Sequence, residues 1–166
     1  MPHVSSHTVE GYRPGAIGSL AALHAAYYSR HWNFGLPFEA KVASELAEFL
    51  VRMDPVRDLF ATAWTGDRLD GSITIDVSGG GERGAHLRWF IVGDAARGSG
   101  LGGLLMDRAV AHCDRSGVRS CWLTTFAGLD AARALYQRRG FALVRESDVD
   151  QWGGGVREQL FMRERP

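Results

Sequence analysis

The residues with the clearest chemical pattern lie in AARGSGLGG, the segment from Ala95 to Gly103. Its last six positions hold four glycines and one serine, after the apolar run HLRWFIV and ahead of the leucine-rich stretch LLMDRAVAH. Glycines let the main chain approach phosphate oxygens that a Cβ atom would block. Where a helix begins, its first N–H groups lack partners and the helix dipole favours negative charge. The segment therefore predicts a loop that binds a phosphate-bearing cofactor.

Two common phosphate-binding motifs fit this loop poorly. A P-loop requires a lysine and then a serine or threonine after its last glycine, whereas two leucines follow here. Gly98, Gly100 and Gly103 satisfy the dinucleotide spacing G-x-G-x-x-G, but residues 93–97 separate them from the preceding strand. The next predicted strand, SCWLTTF, also ends without the carboxylate that binds a nucleotide ribose. The sequence therefore disfavours a nucleotide-dependent oxidoreductase.

Taken as Arg97-x-x-Gly100-x-Gly102, the loop resembles the pyrophosphate loop of the GNAT superfamily of acyl-CoA-dependent N-acetyltransferases. A second stretch, AARALYQRRGF from Ala131 to Phe141, is similar to the family's later helix, where three residues separate a tyrosine from Gly-Phe. One predicted helix and one predicted strand separate the two motifs, as in the family. The opening GYRPGAIG further resembles the acetyltransferase half of fusions with winged-helix regulators.

The resemblance covers residues 85–144 and implies an α/β fold, with a central mixed β-sheet flanked by about four helices. It also implies acetyl-CoA as co-substrate, with main-chain groups near Ile91 and Val92 aligning the pantetheine arm and polarising the thioester carbonyl. Arg97 either adds charge at the pyrophosphate or lies solvated at the surface. The residues implied to wrap the pyrophosphate are Arg97, Gly98, Ser99, Gly100, Leu101, Gly102 and Gly103.

Tyr136 matches the family tyrosine that donates a proton to the leaving sulfur. A phenol with an ordinary pKa of about 10 stays protonated at neutral pH and can supply that proton. The alternative is a core tyrosine whose hydroxyl is bonded elsewhere. Neither Cys113 nor Cys121 matches a catalytic nucleophile in these motifs, so the implied reaction is direct attack of a primary amine on the thioester.

The family's general base, which takes a proton from the attacking amine, has no counterpart at the matching position of this sequence. Members with a strand carboxylate place it where this chain has Arg88, nine residues before Arg97, and an arginine stays cationic. His86 lies on the same face of a regular strand and titrates in a useful range, although a surface or capping histidine is the alternative. Deprotonation through water, or an amine that arrives neutral, stays open.

The family frames its substrate cleft with the first two helices and the C-terminal strands. Tyr28 and Trp32 of the segment HAAYYSRHWNFG, together with His86, are therefore substrate-site candidates, and Tyr27 and His31 could also contribute. Many relatives carry an asparagine where this chain has Phe126, which removes one polar contact. His24 and His31 have no cysteine or carboxylate cluster beside them, so no metal site is predicted.

The elements that must position these residues follow from hydrophobic periodicity and turn signals. A short strand in TVEGYRPG precedes two helices, and a hairpin turns at residues 65–68 before a loop at residues 78–84. The strand and helix order then requires right-handed parallel pairing around the glycine loop. The predicted helices are Ala16–Arg30, Phe38–Val51, Leu101–Ser116 and Asp130–Arg139, and the later strands are Ala85–Val92, Ser120–Phe126, Phe141–Val149 and Val156–Arg163.

Composition sets the wider bounds. The 166 residues predict one domain, 1–166, with about residues 1–7 as a flexible tail. Nineteen basic residues balance nineteen acidic ones, which gives no field for nucleic acid or an anionic membrane. Two cysteines, no secretory leader and no long apolar run predict reduced core thiols and a cytoplasmic protein without a membrane partner.

The expected partners are a small-molecule or peptide amine and, through the terminal strands, a second copy in a homodimer. The sequence does not select the amine, or acetyl over longer acyl donors. An alternative function of a different class is a non-catalytic acyl-CoA sensor or regulatory domain, which the arginine at position 88 and the phenylalanine at position 126 favour.

Overall fold

The computed structural model describes residues 6–148 and 155–165. Within these ranges the strands form one seven-stranded sheet in the order β1-β2-β3-β4-β5-β7-β6. The strands are β1 (Thr8–Glu10), β2 (Leu59–Thr65), β3 (Arg68–Asp76), β4 (Ala85–Val92), β5 (Ser120–Phe126), β6 (Ala142–Ser147) and β7 (Glu158–Glu164). The helices are α1 (Ala16–Trp32), α2 (Leu36–Arg52), α3 (Leu101–Arg115) and α4 (Asp130–Arg138). The predicted mixed sheet with four helices is present.

Helices cover both faces of the sheet because side chains alternate along each strand. On one face Ile73, Ile75 and Leu87 pack against Leu105 and Met106 of α3, in a core that also contains Tyr136 of α4. On the other face, the buried residues of α1 and α2 pack against β2, β3 and β4. Cys113 and Cys121 are free and buried in the α3 core, as predicted for core thiols.

Element boundaries differ from the predicted ones by a few residues. Helix α2 begins at Leu36 because Pro37 occupies its first turn, where the missing N–H costs nothing. Strand β6 begins one residue later than predicted, since the Phe141 N–H donates to the Tyr136 carbonyl and extends the end of α4. The predicted end of β6 at Val149 and most of the WGGG turn lie outside the described residues.

The structure also places the two ends of the described chain, for which the sequence predicts a flexible N-terminal tail and a closing C-terminal strand. Of the predicted tail, residues 1–5 lie outside the described ranges, while His7 Nδ1 lies 3.0 Å from Asp70 Oδ2. The last strand, β7, lies between β5 and β6, with which it pairs antiparallel. The edges of the described sheet are therefore β1 and β6.

Strand β4 contains a bulge that changes which face its side chains take. Ser72 pairs with Ile91 and Thr74 pairs with Arg88, so Ile73 alone spans Trp89 and Phe90 on the partner strand. Trp89 has φ 47°, a left-handed conformation that a bulky residue rarely adopts. The Ser72 hydroxyl holds the bulge by donating to the Trp89 carbonyl at 2.5 Å.

Strands β4 and β5 are parallel neighbours that separate along their length. Their register pairs only Ala85 with Cys121 and His86 with Trp122 among the described residues. At that end the two segments approach so closely that a Cβ on Gly84 would collide with the Ser120 carbonyl oxygen. Beyond these pairs the two strands diverge, and no described strand pairs with β4 on this side near Ile91 and Val92. This divergence opens the cleft described next.

Candidate active site

A cleft of about 900 Å³ lies where β4 and β5 diverge, bounded by α1, α2, the loop before α3, and α4. It brings together residues that the sequence associates with cofactor, catalysis and acceptor. Of the site residues proposed from sequence, only Ser99 does not line it. Those that do are Tyr28, Trp32, His86, Ile91, Val92, Arg97, Gly98, Gly100, Leu101, Gly102, Gly103 and Tyr136.

The glycine loop ends in a left-handed turn that starts α3. Gly98 has φ 75° and Gly100, the N-cap, has φ 85°, conformations that L side chains rarely adopt. The Ser99 hydroxyl donates to the Ala96 carbonyl at 2.5 Å and accepts from the Leu101 N–H at 3.3 Å. Ser99 thus stabilises the loop from outside the cleft.

The first turn of α3 presents main-chain donors to the cleft. The first intrahelical bond joins the Leu104 N–H to the Gly100 carbonyl, so helix geometry gives the N–H groups of Gly102 and Gly103 no intrahelical acceptor. Nothing lies within 4 Å of a Cβ built on Gly98 or Gly100. The loop therefore offers open space, unpaired donors and a positive helix end to an anion.

Arg97 stands at the mouth of the cleft in a network of its own. Its Nε lies 2.9 Å from Asp94 Oδ1, and its guanidinium lies 4.7 Å from the centre of the Tyr27 ring. Asp94 in turn accepts a hydrogen bond from Arg30 at 2.9 Å. Arg97 is thus half-exposed and already paired with a carboxylate.

Tyr136 is buried at the opposite wall of the cleft, with 5% of its surface exposed. Its ring packs on Phe90, Phe141 and Phe161 at centroid distances of 5.9, 6.1 and 5.9 Å. Burial, reinforced by the neighbouring Tyr28, raises the pKa of Tyr136 above the ordinary phenol value. The phenol donates no hydrogen bond to any described residue, so its proton is available to a group in the cleft.

His86 forms a flat, neutral surface where β4 and β5 begin to diverge. Its ring stacks on Trp122 with centroids 3.7 Å apart and planes 9° apart. Burial, together with the charge of Arg88, lowers the pKa of His86 to about 3. An imidazole with this pKa is a weak base, because transferring a proton to it from an ammonium group is strongly unfavourable.

Arg88 is held in place by two carboxylates. Its Nη2 donates to Glu45 Oε2 at 2.7 Å, its Nη1 approaches Asp76 Oδ2 at 3.4 Å, and its guanidinium lies 4.1 Å from the Trp89 ring centre. Arg52 also binds Asp76 through two bonds of 3.0 and 2.6 Å. Burial opposes ionisation of Asp76, but the bonds from Arg52 and from a backbone N–H outweigh it and hold its pKa below the usual range.

Sequence reasoning missed the α2 side chains that face Arg88. Glu45 and Lys41 both line the cleft, and Lys41 Nζ donates to Glu45 Oε1 at 2.5 Å. Their spacing of four residues predicts an ion pair on a helix, which could have identified the pair itself. No local signal connects it to Arg88, because 43 residues separate Glu45 from Arg88.

Tyr28, Trp32 and Phe126 form a further part of the cleft, the aromatic wall. Phe126 is buried among Tyr28, Trp32 and Phe34, with ring centroids 5.8, 4.8 and 5.4 Å away. Burial also raises the pKa of Tyr28. At the position where the family resemblance predicts an asparagine, this chain therefore makes aromatic contacts.

His24, beside this wall, is a buried neutral histidine. Its Nδ1 donates to the Leu20 carbonyl at 2.9 Å, and burial lowers its pKa to about 4. Among the described residues, no three His, Cys, Asp or Glu side chains are arranged to bind a metal ion. None of the described helices has the length and apolar character needed to span a membrane.

Comparison with solved structures matches the fold over nearly the whole chain. An acetyltransferase of the GNAT family from Staphylococcus aureus Mu50 has a TM-score of 0.75 at 15% identity, covering 96% of this chain and 99% of that one. A protein from Salmonella typhimurium, solved with its cofactor acetyl-CoA, has a TM-score of 0.71 at 13% identity, covering 96% and 94%. These likenesses concern the fold.

Sequence comparison identifies the family. A mycothiol acetyltransferase from Geodermatophilus obscurus is 38% identical over 86 residues, which span 49% of this chain and 28% of that protein. The model of the acetyltransferase (GNAT) family matches residues 17–141. Since the match includes the glycine loop, α3, β5 and the tyrosine of α4, this chain belongs to the GNAT family of acetyltransferases.

Proposed function

We propose that this protein is an N-acetyltransferase that moves the acetyl group of acetyl-CoA to a primary amine by direct attack. The observation that carries the proposal is the divergence of β4 from β5, which joins an anion-binding loop, a free strand edge and a protonated tyrosine in one cleft. Each feature answers one requirement of acetyl transfer from a thioester.

The glycine loop and β4 would bind the co-substrate. The N–H groups of Gly102 and Gly103, at the positive end of α3, suit the pyrophosphate. The edge of β4 near Ile91 and Val92 suits the amide groups of the pantetheine arm, because it lacks a partner strand there. A main-chain N–H after the bulge can also stabilise the negative charge that develops on the thioester oxygen.

Tyr136 would protonate the departing sulfur. The amine nitrogen forms a bond to the carbonyl carbon, and the electrons of the breaking carbon–sulfur bond pass to sulfur. The phenol gives its proton to that thiolate, while the amine releases a proton to solvent that restores the phenol. The raised pKa of Tyr136 keeps the phenol protonated before each turnover.

Deprotonation of the amine is assigned to water or to an amine that arrives neutral. Arg88 is a cation bound by two carboxylates, and the lowered pKa of His86 makes its imidazole a weak base. Neither side chain is suited to receive the proton directly.

The two buried free thiols further support a reducing compartment such as the cytoplasm.

Calorimetric titration with acetyl-CoA, with NAD as the parallel ligand, tests the cofactor assignment. We expect micromolar binding of acetyl-CoA and no binding of NAD. Failure of acetyl-CoA to bind would mean that the glycines serve a structural turn, and the proposed function would then be withdrawn.

An assay of turnover distinguishes an enzyme from a non-catalytic acyl-CoA sensor. The sensor is the alternative function because Arg88 occupies the position of the usual strand carboxylate. Thiol release from acetyl-CoA is followed with a broad panel of primary amines, and the acetylated amine is identified by mass spectrometry. We expect amine-dependent release. Tight binding of acetyl-CoA without turnover of any amine would instead support the sensor.

A further inference from the structure

Building on the proposed acetyl transfer, we infer that the acceptor is an α-amino acid with an apolar side chain, whose carboxylate binds between Arg88 and Lys41. The acceptor subsite is defined here as the end of the cleft formed by Lys41, Glu45, His86 and Arg88, together with the adjoining aromatic wall. All four residues line the same cleft as the glycine loop and Tyr136.

The subsite lies close to the expected position of the thioester. Arg88 precedes Ile91 by three residues on β4, a distance of about 10 Å at the usual rise of a strand. Its long side chain faces α2, where Lys41 and Glu45 are one helical turn apart. An amino acid carries its amine and its carboxylate on one carbon, so the carboxylate can meet a cation while the amine faces the thioester.

The Arg88 guanidinium is already oriented for such a ligand. Glu45, Asp76 and the Trp89 ring fix its plane, and only 16% of the side chain is exposed. A guanidinium has five N–H donors, and the hydrogen bonds of Arg88 to Asp76 and Glu45 use one donor on each terminal nitrogen. The remaining donors suit a carboxylate, the anion whose geometry arginine matches best.

The balance of charge in the subsite favours an anion. Lys41 and Arg88 share the single carboxylate of Glu45. Asp76 is fully buried and is bound through both oxygens by Arg52, so it offsets Arg88 only in part. The cleft therefore presents an excess of positive charge beside Glu45. This excess disfavours an acceptor with a second ammonium group, such as a polyamine.

The remaining walls of the subsite are apolar. The His86 ring, which lines the cleft and is held flat against Trp122, is uncharged at neutral pH. Phe38 and Val42, from the same helix as Lys41, are buried beside the aromatic wall and also line the cleft. An apolar side chain next to the bound carboxylate would contact these surfaces. A peptide amino terminus lacks the α-carboxylate, so it fits this site less well.

A matched set of acceptors tests the inference: L-phenylalanine, L-phenylalaninamide and phenethylamine, which differ at the carboxylate position. Initial rates of thiol release with acetyl-CoA give kcat/KM for each. We expect L-phenylalanine to exceed the other two by about tenfold or more, the effect of one hydrogen bond between charged groups. Equal or better use of the amide or of phenethylamine would overturn the inference and leave acetyl transfer intact.

Variants locate the source of the preference. Arg88→Gln should bring the ratio of acid to amide near one, and Lys41→Gln should lower it by about threefold, as expected for a partly exposed ion pair. Arg108→Gln, which removes an exposed arginine of α3, is the matched control and should keep the ratio. If Arg88→Gln does not fold, the test rests on Lys41→Gln, because Lys41 is the more exposed of the two cations that bind Glu45.

Glu45→Gln distinguishes an anionic acceptor from a cationic one. Removal of this carboxylate leaves both cations without their shared partner, so the preference for L-phenylalanine over its amide should rise or stay unchanged. A fall in that preference, or a loss of activity confined to phenethylamine and the amide, would assign recognition to Glu45 and refute the role of Arg88 and Lys41.

Calorimetry with the CoA-bound protein separates failure of this inference from failure of the proposed function. Tighter binding of L-phenylalanine than of its amide, without turnover, would support the subsite and refute acetyl transfer to amino acids. Absence of binding and of turnover for all three probes would overturn the inference, while turnover of other amines in the panel would still support the enzyme.

Discussion

Among single residues, Tyr136 has the most clearly defined proposed role. Its burial raises the pKa of the phenol, while its position keeps the residue in the wall of the cleft. The surrounding phenylalanines raise the pKa of the phenol, which makes its anion costly. The hydroxyl nevertheless belongs to a residue that lines the cleft and donates to no described residue. A phenol in this setting stays protonated at neutral pH, and in the proposed reaction its O–H would donate a hydrogen bond to the negative charge that develops on sulfur.

Tyr136→Phe tests this role with the smallest possible change. We expect kcat to fall by about 100-fold, the lower end of the usual contribution of a general acid, while the Kd for acetyl-CoA stays near the wild-type value. Steady-state rates and calorimetry measure the two quantities. Tyr12→Phe removes an exposed hydroxyl and is the control. An unchanged kcat in Tyr136→Phe would make Tyr136 a packing residue.

The pH profile of wild-type kcat gives a second test of the same phenol. Since burial raises the pKa of Tyr136, the proton-donating form persists above the ordinary phenol pKa of about 10. We therefore expect no loss of kcat from phenol ionisation between pH 7 and about pH 10. A decline with an apparent pKa of about 9 that disappears in Tyr136→Phe would contradict the assigned environment.

At the scale of elements, the site depends on how β4 leaves β5 and enters the loop before α3. The bulge at Trp89 turns Phe90 towards the α3 core and Ile91 towards α1 and α2. The left-handed glycines then reverse the chain so that the first turn of α3 faces the cleft. The strand edge and the helix end thus meet at one place.

Gly100→Ala tests the loop as a binding element. The added Cβ meets no atom of the described protein, so the stability cost is the left-handed backbone penalty of about 1 kcal/mol. It does project into the region assigned to the pyrophosphate, and we expect the Kd for acetyl-CoA to rise by about tenfold.

Gly117→Ala is the matched control for that variant. Gly117 has φ 69°, equally open surroundings and a position after the far end of α3. It should lose similar stability without any change in the Kd for acetyl-CoA. Equal Kd values for the two variants in calorimetry would mean that the loop does not contact the co-substrate.

At the scale of the whole molecule, burial keeps two of the cleft histidines, His24 and His86, neutral at neutral pH. His24 has a pKa lowered to about 4 by burial, against an ordinary value of 6.5. The unfolded chain therefore binds a proton at higher pH than the folded one does. Stability attributable to His24 is complete above pH 6.5 and is lost as the pH falls towards 4.

His24→Gln should remove part of this dependence on pH. For the wild type, His24 alone predicts a loss of about 2 kcal/mol in the free energy of unfolding between pH 7 and pH 5. Urea denaturation at both pH values measures it, and the variant should lose correspondingly less. His31→Gln, an exposed histidine of α1, is the control. Identical pH dependence in wild type and His24→Gln would contradict a buried neutral His24.

The sequence by itself determined the order of elements around the site and the residue types within it. Glycine spacing identifies the loop because left-handed turns and close approach depend on local backbone preferences. The apolar periods of α3 and β5 likewise predicted these elements almost to the residue, since their core faces repeat regularly. The Tyr136 motif spans one short helix and the turn that ends it, so local spacing is sufficient to identify it.

Only the tertiary structure decided how the end of the cleft around Arg88 is built. The divergence of β4 from β5, the bulge at Trp89 and the pairing of Glu45 with Arg88 all depend on contacts between distant segments. Hydrophobic periodicity reports which face of an element is buried, but it does not report which charged groups meet across two elements. The sequence places a cation at position 88, where the family resemblance leads one to expect a carboxylate. Only the folded chain shows that this cation pairs with Glu45 of α2, which also binds Lys41.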